Sequence, residues 1–209
     1  MRSFVFSGLI AAFAQICLPA AAQAPAPAAN VLDCAETFTK TADHAALVKR
    51  FGRENVVVAQ LDGAEGETER GTIVYPKDPA RRIEVFWWDS KALRRPASVV
   101  VQNKSRWVVR VQARTIAVGT PIAAVEEANE KPFALFGFEW DMGGYSAGWK
   151  GGRLDAIDGG CSLSVRFNPD PRASAAVAKV AGDRQFGSSA PAIKATRPTV
   201  SKLSLGWPE

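Results

Sequence analysis

Cys161-Ser162-Leu163-Ser164-Val165-Arg166-Phe167 alternates without a break. Successive side chains of an extended strand point to opposite sides, so Cys161, Leu163, Val165 and Phe167 share one face. Ser162, Ser164 and Arg166 share the other. This is the pattern of a strand with one buried face, as in an antiparallel sheet covered on one side. A second strand, Arg82-Ile83-Glu84-Val85-Phe86-Trp87-Trp88-Asp89, adds a complication. Ile83, Val85 and Trp87 form its apolar face, yet the opposite face carries Phe86 and Trp88 beside Glu84. If helices cover the first face, the second is either covered by the C-terminal segment or left as an aromatic contact surface.

Outward from these strands, Thr41 to Gly52 reads as a helix. Thr41 caps it, Asp43 meets the positive end of the dipole, and His44, Leu47, Val48 and Phe51 form a stripe. Lys49 and Arg50 fill the last turn and Gly52 stops it. Strands are predicted at Asn55–Leu61, Gly71–Tyr75 and Arg82–Trp88, and at Ser98–Gln102 and Arg106–Gln112, the last two joined as a hairpin through Asn103-Lys104-Ser105. The pattern then restarts. Thr120 and Pro121 open a second helix facing inward with Ile122 and Val125, and strands follow at Phe133–Trp140, Tyr145–Lys150 and Arg153–Ile157. Helix followed by antiparallel strands therefore occurs at about 41–88 and again at about 120–157. The fold class expected is α+β, two helix-plus-antiparallel-strand units with helices packed on one side of an antiparallel sheet. The body spans 32–168. Residues 169–209 read as a partly ordered extension, with a short helix at Ala173–Ala181 and Val200–Leu205 returning as an edge strand.

Val118-Gly119-Thr120-Pro121-Ile122-Ala123-Ala124-Val125 resembles the opening of small exported modules found in the BamE/SmpA outer-membrane assembly lipoproteins and the β-lactamase inhibitor protein superfamily. Asn129-Glu130-Lys131-Pro132-Phe133 through Gly137-Phe138-Glu139-Trp140-Asp141-Met142-Gly143-Gly144 looks similar to a core shared by uncharacterised exported bacterial proteins. The resemblance implies a fold and a periplasmic setting, and carries no activity. Two departures stand out: no anchoring cysteine opens the mature chain, and a single cysteine pair replaces one per repeat.

Met1-Arg2-Ser3, the apolar run Phe4–Leu18 and the small residues Ala20 and Ala22 read as a cleaved signal peptide, 1–22. A linker, 23–31, follows it. The segment is too short and too interrupted to span a bilayer, so no transmembrane segment is expected after cleavage. Localisation is periplasmic or secreted. Cleavage removes Cys17 and leaves Cys34 and Cys161, an even pair that in an exported chain reads as a disulfide. The net charge of +5 resides mostly in the C-terminal segment, which holds six basic residues and three acidic ones from Asn168 onward. The body is almost neutral, which argues against a nucleic-acid partner.

Chemistry is sparse. His44 is the only imidazole, it shares a core stripe, and no nucleophile motif accompanies it. Gly143-Gly144 and Gly151-Gly152 read as tight turns that need positive φ. Glu139, Asp141, Asp155 and Asp158 lie near these turns; two of them meeting would make an acid–base pair, but their spacing matches no calcium loop. No catalytic residue, metal or cofactor is expected. The candidate binding residues are Phe86, Trp88, Tyr145 and Trp149. The chain reads as an exported binding protein for an envelope protein or a cell-wall component. The alternative is an envelope hydrolase acting through Glu139, Asp141 or Asp155.

Overall fold

The computed structural model describes residues 30–63 and 66–209. The expected signal peptide and most of the linker lie outside the described residues. In chain order the elements are β1 (Val31–Leu32), α1 (His44–Phe51), β2 (Val56–Asp62), β3 (Thr68–Val74), β4 (Ile83–Asp89), β5 (Arg94–Gln102), β6 (Val108–Val111) and β7 (Arg114–Ala117). Then come α2 (Ile122–Asn129), β8 (Ala134–Phe136), β9 (Ser146–Gly148), β10 (Ser162–Asn168), α3 (Ser174–Val177), β11 (Gln185–Gly187), α4 (Pro191–Ala195) and β12 (Thr199–Gly206). The class is α+β, dominated by sheet. The central sheet has the order β10-β12-β5-β4-β3-β2 and is antiparallel throughout. Two small sheets, β1-β6-β7 and β11-β8-β9, accompany it, with β1–β6 the one parallel pair of strands among the described residues.

The register converts the sequence alternation into two faces. One row across the sheet reads Val58, Thr72, Val85, Val99, Leu205 and Leu163, buried from Thr72 onward. This face meets α1 through Leu47, the β1-β6-β7 sheet through Leu32, Val109 and Ile116, and α2 through Ile122 and Val125, all in one core. The neighbouring row, Val57, Ile73, Glu84, Val100, Ser204 and Ser164, points the other way.

Helix α1 forms as its sequence dictates, with one change of cap. Asp43, not Thr41, is the N-cap, and its carboxylate accepts from the Ala46 N–H at 2.7 Å. Gly52 ends the helix at φ 90°. The Cys34–Cys161 disulfide is present, with Cα atoms 6.0 Å apart, and both cysteines are buried. It ties the segment after β1 to the start of β10.

Four expectations need correction. The hairpin through Asn103-Lys104-Ser105 does not form: β5 pairs with β4 and β12, while β6 leaves for β1 and β7. The linker expected to run to residue 31 ends earlier, because Val31 already pairs with Val108. The second helix–strand unit differs from the first. Its strands shrink to β8 and β9, and Arg153–Asp155 is a 3-10 turn. The cause is Asn129, fully buried at the end of α2. Its side-chain N–H groups donate to the Lys131 and Trp149 carbonyls, and its Oδ1 accepts from Leu154 N–H, which folds 149–154 into a compact turn. Finally, residues 169–209 are no loose extension. β12 lies inside the sheet between β10 and β5, and α3, α4 and β11 pack through Val177, Ile193 and Phe186.

Candidate functional site

The face of the central sheet turned away from the core carries the groove of interest. Its floor begins with Phe86, opposite Ser98 in the register, followed by Gly206 and Ser162. Phe86 is half-buried. Between Phe86 and Trp87 the β4–β5 register slips, so that Trp87 faces Pro96 and Ala97 is the extra residue. Lys202 of β12 joins the floor from two rows further along, where it pairs with Gln102 and Arg166.

One wall is the end of the β2–β3 hairpin, contributing Asp62, Gly63, Gly66 and Glu69. The other is the segment Trp140-Asp141-Met142 with Tyr145. Together with Phe86, Ala97, Ser98 and Lys202 these enclose an open groove of about 960 Å³. Met142 is 46% exposed, unusual for a side chain of its size and polarity.

The glycines of the 140–145 segment explain how it reaches the sheet. Gly144 has φ 76°, and a Cβ there would collide with the Phe167 carbonyl oxygen. Gly143 leaves no room for a Cβ either, since the Trp140 carbonyl lies at 2.8 Å. The backbone therefore packs directly on β10, where the Phe167 N–H donates to the Gly144 carbonyl at 2.9 Å. Arg166 fixes the loop from below: its Nε donates to the Gly143 carbonyl at 2.9 Å, and its guanidinium lies 5.1 Å from the Tyr145 ring centre. Trp140 is anchored through its Nε1, which donates to the Gly137 carbonyl at 3.0 Å, and edge-on to Phe136.

Three carboxylates and one ammonium thus border an aromatic floor. The groove suits a ligand with an apolar portion and basic or hydroxyl-bearing flanks, because aromatic faces attract cations and carboxylates accept their hydrogen bonds.

The residues singled out by sequence are distributed unevenly. Phe86 and Tyr145 line the groove, as does Asp141. Trp88 shares the outward face of β4 and is 42% exposed; its Nε1 donates to the Trp207 carbonyl at 3.1 Å, which pins the ring over the sheet end. Trp149 is a correction. It is 5% exposed, packs on Phe133 at 5.0 Å and donates its Nε1 to the Leu163 carbonyl at 2.9 Å, so it is a core residue. The carboxylates named for acid–base work do not gather. Glu139 lines a small cavity with Arg166 and Asp170, Asp141 borders the groove, and Asp155 accepts from the Gly151 N–H at the 149–154 turn. Among the described residues no three His, Cys, Asp or Glu side chains are arranged to hold a metal ion.

Trp140, Met142, Lys202, Asp62 and Glu69 escaped the sequence reading. Lys202 was hidden by the assignment of β12 to an edge. The hairpin acids belong to a charge-rich turn that resembles any solvated turn. His44 lies elsewhere, at the rim of the covered face. Its Nδ1 lies 2.9 Å from the Thr72 hydroxyl, which also accepts from Trp87 Nε1 at 3.0 Å. Burial, reinforced by Arg70, holds its pKa below the ordinary imidazole value.

Comparison of the chain with protein-family models, with curated proteins and with solved structures returns no match. The resemblances noted at Val118–Val125 and Asn129–Gly144 therefore rest on those residues alone.

Proposed function

We propose that the protein is an exported, non-catalytic binding protein, and that it grips an envelope partner, a protein or a cell-wall component, in the groove over Phe86. The observation that carries this reading is the grouping of Phe86, Trp140, Met142 and Tyr145 with Asp62, Glu69, Asp141 and Lys202 on a sheet face that the core does not need. Large apolar side chains left half-open beside convergent polar groups are the usual composition of a recognition surface. The signal-like segment and the disulfide support the exported setting.

The test compares the wild-type protein with Phe86→Ser and Tyr145→Ala on immobilised supports. Each is offered periplasmic extract and, separately, soluble cell-wall fragments. Whatever the wild type retains should be bound at least about tenfold more weakly by the variants, a loss equivalent to one hot-spot contact, with circular dichroism unchanged. Equal retention by all three proteins moves the site elsewhere.

The hydrolase reading keeps one supporting observation, namely that Asp141 shares the groove with Asp62 and Glu69. Glycan cleavage by the wild type that disappears in Asp141→Asn would establish it in place of binding alone.

A further inference from the structure

The two edges of the central sheet are treated differently. At β10 the edge is occupied: Tyr145 bridges Arg166, Gly144 accepts from Phe167 N–H, and the Val165 N–H donates to the Ser146 hydroxyl. At β2 no strand of the described residues follows. The Tyr75 N–H donates to the Asn55 carbonyl and the Gly63 N–H to the Glu67 carbonyl, in the same register as the β2–β3 ladder. The odd-numbered residues of β2 therefore spend their backbone groups on β3, and Val58, Gln60 and Asp62 aim theirs outward. The strand, Val56-Val57-Val58-Ala59-Gln60-Leu61-Asp62, contains no Lys, Arg, Pro or bulge of the kind that guards natural edges. Val57 and Val58, at 37% and 44% exposed, lie on its two faces and are two of the four large apolar side chains exposed among the described residues.

Charge is polarised along this edge. The root of the strand is flanked by Lys49, Arg50 and Arg53, which outnumber the one acid there, Glu54, and the hairpin tip by Asp62, Glu67 and Glu69. All seven are exposed, and none makes an ion pair among the described residues. An antiparallel copy of the same edge brings the acidic tip of one molecule against the basic root of the other.

From this geometry we infer that β2 pairs with β2 of a second copy about a two-fold axis near Ala59. In that register Val58 stands beside the partner's Gln60 as a hydrogen-bonded pair, and Val57 stands beside the partner's Leu61. The two Asp62 carboxylates fall roughly 20 Å apart, six residues along the ladder, so they do not oppose each other. The axis is perpendicular to the sheet, as an isologous strand pair requires, and both grooves open on the same side of a continuous twelve-stranded sheet. The pairing does not depend on what the grooves hold.

Sedimentation velocity of the purified protein across micromolar concentrations, at low and high salt, tests the inference. A monomer–dimer equilibrium that weakens with salt is expected. Ala59→Cys should yield a covalent dimer under mild oxidation, and Ser98→Cys should not. Val58→Lys, with unchanged circular dichroism, should raise the dissociation constant at least about tenfold by charging the edge, and Arg53→Glu should weaken pairing most at low salt. A protein that stays monomeric at about 100 μM in low salt, or a dimer indifferent to Val58→Lys and not trapped by Ala59→Cys, overturns it.

Discussion

The two faces of strand β4 lie one residue apart in sequence and belong to different physical regimes. Ile83, Val85 and Trp87 are at most 1% exposed and sit beneath α1, the β1-β6-β7 sheet and α2. Glu84, Phe86 and Trp88 look out over a sheet face that carries Ser98, Ser204, Ser162 and Ser164 on the β5, β12 and β10 side and Val57, Ile73 and Val100 beside Glu84. The same residue type, tryptophan, is structural at 87 and half-free at 88. A protein holds large aromatics out of its core at a cost in solubility, and here that cost falls on the open face. The contrast between the faces can be tested by substitutions that should act on only one of them.

The largest effect should come from Trp87→Ala against Trp88→Ala. Trp87 is fully buried and donates to Thr72, so its truncation leaves a cavity and takes one of two partners from the Thr72 hydroxyl, which keeps His44. A loss of about 3–5 kcal/mol of unfolding free energy is expected. Trp88 gives up a half-exposed ring and one hydrogen bond to the Trp207 carbonyl, for about 1–2 kcal/mol. Urea denaturation of both variants measures the difference; equal losses would mean that the open face is as much core as the covered one.

Next in size is the disulfide. Cys34 and Cys161 lie 127 residues apart and both belong to the core cluster. Replacing both by serine should cost about 2–5 kcal/mol. Because the bridge ties the segment after β1 to β10, hydrogen exchange should quicken first in β1 and β6 on the covered side. The 140–145 wall of the groove is held by Arg166 and the glycine contacts and should change least.

Much of this organisation is legible in the sequence because alternation survives in the strands that pack on one side. β10 and β4 announce their faces residue by residue, α1 carries its own stop, and the cysteine pair follows from parity and the compartment that the N-terminal segment leads one to expect. What escaped was set by contacts distant in sequence. β12 contains Ser201, Lys202 and Ser204, a polarity that reads as an edge. Its position inside the sheet follows from register with β10 and β5, which local pattern does not encode. Trp149 sits beside glycines and so reads as a rim residue, while its burial depends on Phe133 and Leu163 arriving from elsewhere. Asn129 reads as a helix end, and only its three hydrogen bonds reveal why 149–154 is a turn. The groove inherits these gaps. Phe86 and Tyr145 stand out as aromatics near the right strands, whereas the hairpin acids and Lys202 reach the groove through topology.

The smallest expected effect falls at the rim where the two regimes meet. His44 caps the covered face by facing Thr72, which is fully buried and pairs in register with Val85. The Thr72 hydroxyl accepts from Trp87 Nε1 and has one proton to give, which a neutral imidazole protonated at Nε2 can take at Nδ1. Burial and the nearby Arg70 lower the pKa of His44 below its ordinary 6.5, against a weaker opposing pull from Asp43. The folded state therefore binds this proton less readily than the unfolded chain does. Above pH 6.5 both states are neutral at this site and stability is unaffected. As pH falls below that value the unfolded chain takes up the proton first, so stability declines until the folded-state pKa is passed, and then levels off. Asp78, Asp89 and Asp170 are held below the usual carboxylate value of 3.8 by hydrogen bonds from Arg81, the Ala92 N–H and the Arg172 N–H respectively. Their stabilisation is lost only at more acidic pH, so the interval from about pH 5 to 7.5 isolates the imidazole. Urea midpoints across that interval should fall toward acid in the wild type and stay flat in His44→Asn, whose amide oxygen can accept from Thr72 without titrating. A wild-type profile that is flat, or that rises toward acid, would mean the imidazole is charged in the fold and that its bond to Thr72 runs in the opposite direction.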